Sequence, residues 1–123
     1  MKKTETTKKH FSMIVHPERV RAEARRILNT RYTEEDGWIV NSTLSWQPHL
    51  PDFIIDRYCG RNTERVVAVI IFEEQITHRH INRIDEISSR LTGHNFLSAG
   101  KIIIVPEGCD TSLIHSDTEI LAV

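Results

Sequence analysis

The sequence predicts an α/β domain in which a mixed sheet is flanked by helices, and three observations predict it. Val20, Ala24, Ile27 and Leu28 recur at helical spacing, with Arg19, Arg21, Arg25 and Arg26 on the other sides. Residues 53–55, 66–72 and 102–105 form apolar runs of strand length. Between the last two of these runs, Ile81, Ile84, Ile87 and Leu91 trace a second helical stripe. Strands in a meander, followed by a helical crossover into a further strand, imply one mixed sheet with helices packed on it. If the strands before and after the crossover are parallel, the connection is right-handed.

Taken in order, residues 1–10 are polar, carry Lys2, Lys3, Lys8 and Lys9, and read as a disordered tail ahead of a single domain over 11–123. Pro17 suits the first turn of a helix and Glu18 favours the positive end of its dipole, so the first helix is expected over 17–31. Gly37 ends that region. Trp38, Val40, Leu44 and Trp46 then alternate with Ile39, Asn41, Thr43 and Ser45, the pattern of a half-buried strand. On that strand Trp38 and Trp46 are expected in the core rather than as a base-stacking pair. The second strand is expected at residues 50–56 and the third at 65–75, joined by a polar loop over 57–64 that contains Gly60 and Asn62. Such a loop is longer than the minimal two residues.

Thr77 is placed to cap the second helix, expected over 77–92, and Gly93 closes it. The unbroken run Ile102-Ile103-Ile104-Val105 predicts a strand buried on both faces. Asp110–His115 is expected to form one helical turn and residues 119–123 a last strand.

Composition limits the function classes. In 123 residues, 16 cations against 17 acids give a net charge of −1, so no global charge demands a nucleic-acid partner. A local basic surface is still open, because recognition depends on distribution. Cys59 and Cys109 form no CxxC pair, which argues against a disulfide framework or zinc ribbon and for a reducing compartment. No run reaches the roughly 20 apolar residues of a membrane span, and the N-terminus lacks an apolar signal segment. A cytoplasmic protein is expected.

The chemistry is concentrated where acids border the central apolar runs. Pro51-Asp52 opens the second strand, and Glu73-Glu74-Gln75 ends the third. Alternation puts Asp52, Ile54 and Asp56 on one face, and Glu73 and Gln75 on one face. With the element order, this Pro-Asp followed by Glu-x-Gln resembles the PD-(D/E)xK nuclease superfamily over residues 17–105. The resemblance implies a restriction-endonuclease-like αβββαβ core. It also implies that Asp52 and Glu73 are metal ligands for Mg²⁺ or Mn²⁺, with Asp56 as an alternative or supporting ligand. Gln75 stands where the family has its lysine; it can hydrogen-bond a water but supplies no positive charge. Some family members add a glutamate from the first helix, a role for which Glu23 is the first candidate and Glu18 the second.

The implied activity is metal-dependent hydrolysis of DNA phosphodiester bonds by a small endonuclease-like protein, with a homodimer as one way to reach both strands. The alternative is a degraded nuclease scaffold that binds nucleic acid or a protein partner without cutting. Arg19, Arg21, Arg25, Arg26, Arg57, Arg61 and Arg65 are the candidates for phosphate contact, weighed against a solvated helix face. His78 and His80 point in different directions on a helix, so they make poor joint ligands. His78 is the candidate to approach a phosphate, and each reads more simply as a surface histidine, as does His49.

Overall fold

The computed structural model describes residues 16–43, 50–112 and 117–123. Its elements are α1 (Pro17–Arg31), a 3-10 turn (Glu34–Asp36), β1 (Trp38–Ser42), β2 (Phe53–Cys59), β3 (Asn62–Ile70), α2 (His78–Leu91), β4 (Phe96–Val105) and β5 (Glu119–Ala122). The five strands form one mixed sheet in the order β1-β2-β3-β4-β5. The first three make an antiparallel meander, and β4 and β5 continue parallel to β3. The helix α2 makes the crossover that a parallel β3–β4 pair requires.

Each sheet face has its own core. Ala24 and Leu28 of α1 pack on Phe53, Ile55, Val66, Ala68, Ile102 and Ile104. Ile81, Ile84 and Ile87 of α2 pack on Val67, Val69, Ile103 and Val105. Period-two alternation therefore sends successive residues of β3 and β4 to opposite helices, and residues 102–105 are buried on both faces. Trp38 is half-buried against the α1 core, stands edge-on to Tyr32 at 5.0 Å, and carries the Arg57 guanidinium on its face. Leu44, Trp46 and His49 lie outside the described residues, as does the tail over 1–10.

The structure departs from the sequence expectation in the β2–β3 loop, at the end of β3 and at residues 110–112. The β2–β3 hairpin has a two-residue loop, because Cys59 pairs with Asn62. Gly60 supplies the positive φ of 63° that the first central position of a II′ turn needs. The ladder runs on beyond the core because strand pairing satisfies the backbone even where side chains are polar and exposed. The third strand ends at Ile70, five residues early, and a bend at Glu73 and Glu74 leads to the buried anchor Ile76. Finally, Asp110–Ser112 show no helix: Asp110 bridges to Gln75 and accepts the backbone N–H of Ser112 at 2.9 Å. Residues 113–116 lie outside the described residues. Cys59 and Cys109 are unbonded thiols, and no helix among the described residues is long and apolar enough to cross a membrane.

Candidate functional site

A cleft of about 660 Å³ opens at the end of the sheet where β1 and β3 finish and β2 begins. The first turns of α1 bring Glu18, Arg21 and Arg25 to it. Ser42, Asp52 and Phe72 come from the sheet end, and Arg83 reaches it from α2. Three arginines thus surround two carboxylates.

Asp52 sits immediately before β2 and is tied on both sides. Its Oδ1 accepts from Arg21 Nη2 at 2.5 Å, and its Oδ2 accepts the backbone N–H of Ile70 at 2.6 Å. The second bond closes the end of β3. Arg21 is further fixed by its guanidinium lying 5.8 Å from the Phe53 ring centroid. Its remaining terminal nitrogen, Nη1, is buried and has no acceptor among the described residues. Arg25 Nη1 donates to Ser42 Oγ at 3.0 Å and so joins α1 to the end of β1.

Glu73 and Gln75 are placed elsewhere. Glu73, in the bend after β3, meets His80 Nε2 at 2.5 Å. That hydrogen bond, helped by the positive charges of Arg79 and Arg83, holds the Glu73 carboxyl below its ordinary range. His80 is buried, and its Nδ1 accepts the backbone N–H of Thr77 at 2.9 Å. It is a capping residue of α2 rather than the surface histidine expected; His78, two residues earlier, is exposed. Gln75 donates to Asp110 Oδ2 at 3.3 Å. Glu23, the first candidate for a helix-borne acid, pairs with Arg26 of its own helix. Glu18, the second candidate, faces the cleft.

The hairpin arginines lie at the far end of the sheet. Arg65 makes a two-pronged pair with Asp56, at 2.8 and 3.0 Å, and caps the Leu91 carbonyl of α2. Arg57 pairs with Glu64 at 2.7 Å. Both pairs are between residues directly opposite on β2 and β3. Arg61 is exposed at the hairpin loop, about 25 Å along β2 from Asp52 at strand rise. Arg19 is exposed on α1.

Mg²⁺ takes one or two protein carboxylates, with water and phosphate oxygens completing its shell. Both Asp52 oxygens already accept protein donors and Glu73 is held by His80, contacts with which an ion shared by these two side chains would compete. Among the described residues no group of three or more His, Cys, Asp or Glu side chains is gathered to hold a metal. What the cleft does offer is cationic, planar hydrogen-bond donors in a concave setting, which suits an oxyanion. Sequence reasoning missed Arg83 and Phe72, since only the packing of α2 and the path of the chain after β3 bring them to the cleft.

The fold and cleft define an α/β protein with a five-stranded mixed sheet and an arginine-lined cleft at the sheet's end. Compared with family models, curated proteins and solved structures, the chain finds no match.

Proposed function

We propose that this chain is a restriction-endonuclease-like scaffold that binds nucleic acid without cutting it, gripping backbone phosphate in the cleft beside α1. One observation carries the reading: Arg21, Arg25 and Arg83 converge on a cleft whose only sheet-side acid among its lining residues, Asp52, is already neutralised by Arg21. Asp56, Arg57 and Arg65, by contrast, serve the sheet and take no part. Phosphate contacts of this kind fix a nucleic acid in place and release counterions, so affinity falls as salt rises.

Fluorescence anisotropy with labelled DNA, repeated over a salt series, tests this. The expected slope of log K against log salt is about −2, and Arg25→Ala makes it shallower by about one contact. Supercoiled and branched DNA incubated with Mg²⁺ stay intact. A second reading, metal-dependent hydrolysis, is favoured by Glu18 and Asp52 facing the same cleft. Cleavage by the wild type that Asp52→Ala abolishes would establish that reading instead.

A further inference from the structure

We infer that the cleft takes an unpaired nucleotide, with its base stacked on Phe72 and its phosphate on Arg21 and Arg25. The inference rests on the phosphate-binding reading above and names the form of nucleic acid. Phe72 is a large aromatic left 41% exposed, in the segment between the end of β3 and the bend at Glu73. Ile71 and Ile76 on either side of it are buried in the α2 core, so the chain turns this one aromatic outward while anchoring both flanks. It lines the same cleft as the arginines.

The chemistry of the two walls is complementary to one ligand class. An aromatic face attracts any base, and an arginine fork attracts phosphate. Arg21 is pre-oriented: Nη2 is held by Asp52, the guanidinium rests near Phe53, and Nη1 is buried beneath them. Nη1 itself is buried, so a phosphate meets the part of the Arg21 side chain, 39% exposed, that stays at the surface. The cleft volume, about 660 Å³, falls in the range of roughly 300–1,000 Å³ typical of small-ligand sites. A concavity of that size admits a nucleotide or two. A duplex keeps its bases stacked inside, so Phe72 cannot reach a base face there.

The test is anisotropy at low salt with a labelled single strand and with the same strand in a duplex, using wild type, Phe72→Ala, Phe72→Trp and Arg25→Ala. Circular dichroism checks that each variant is folded. The wild type is expected to bind the single strand at least about tenfold more tightly than the duplex. Phe72→Ala is expected to lose about tenfold on the single strand and little on the duplex, and Phe72→Trp to retain binding. In Phe72→Trp the added indole is quenched on binding, read as the difference from wild type. Salt-sensitive binding that Arg25→Ala weakens but Phe72→Ala leaves unchanged overturns the stacking inference and leaves phosphate binding standing. Equal affinity of the wild type for single strand and duplex does the same. No binding of either form by the wild type overturns both.

Discussion

The Asp52 carboxylate joins α1 to the sheet through Arg21 and ends β3 through the Ile70 N–H. Hydrogen bonds to charged groups contribute about 1.5–3 kcal/mol, less where water reaches them, so Asp52→Ala should lower stability by about 2 kcal/mol. In a phosphate-binding cleft the same change removes a competing negative charge and releases Arg21. Affinity for nucleic acid should therefore persist, the lost negative charge offsetting the lost anchoring of Arg21, measured by anisotropy on protein shown to be folded by urea denaturation. A metal-dependent enzyme would lose its function instead. The importance of Asp52 was legible in the sequence. Its partner was not, because Arg21 lies 31 positions away on another element.

Among the elements, the start of α2 has the most specific wiring. His80 occupies the place where a glutamate or glutamine often reaches back to the N-cap backbone. Since Nδ1 accepts the Thr77 N–H, Nε2 carries the ring proton toward Glu73. The bond is stronger with an ionised Glu73, whose carboxyl is held below its usual value of 4.5. A depressed carboxyl contributes stability above its unfolded pKa and loses it as pH falls through the folded one. Glu73→Gln should thus be less stable than wild type at neutral pH, and the gap should close on acidification below 4.5. Thermal melts of both proteins at a series of pH values would show this; a gap that is constant with pH would mean the contact contributes nothing through charge. The β2–β3 hairpin also depends on paired charges. Polar residues 57–64 look like a loop, yet Arg57–Glu64 and Asp56–Arg65 are cross-strand pairs whose register holds the ladder together past the core.

In the assembled domain one sheet separates two cores, and this has a measurable consequence. Leu28 lies in the α1 core and Ile84 in the α2 core, both fully buried. Leu28→Ala should cost about 2–5 kcal/mol and Ile84→Val about 0.5–1.5 kcal/mol. Sites with no shared partners add, so the double variant should match the sum within about 0.5 kcal/mol in urea denaturation. A larger deviation would mean that the sheet transmits strain between its faces. The cleft likewise belongs to the complete fold, since it draws on α1, α2 and the ends of three strands.

Local pattern along the chain was enough to set the helices, the sheet-forming runs and the burial of residues 102–105. Pro17 and a 3.6-residue stripe set α1 at Pro17–Arg31, while Thr77 and the isoleucine spacing set α2. In each case a residue's neighbours along the chain decide which face is apolar. Which charges meet was settled only by packing. Arg65 was equally suited by sequence to a phosphate or to a carboxylate, and strand register placed it opposite Asp56. Glu73 read as the end of a strand, and the bend that carries the chain to buried Ile76 and into α2 turned it to His80 instead. Side chains of one charge type are interchangeable in a one-dimensional pattern, whereas a salt bridge needs atoms within a few ångströms. That condition is met or missed only when the strands have paired and the helices have docked.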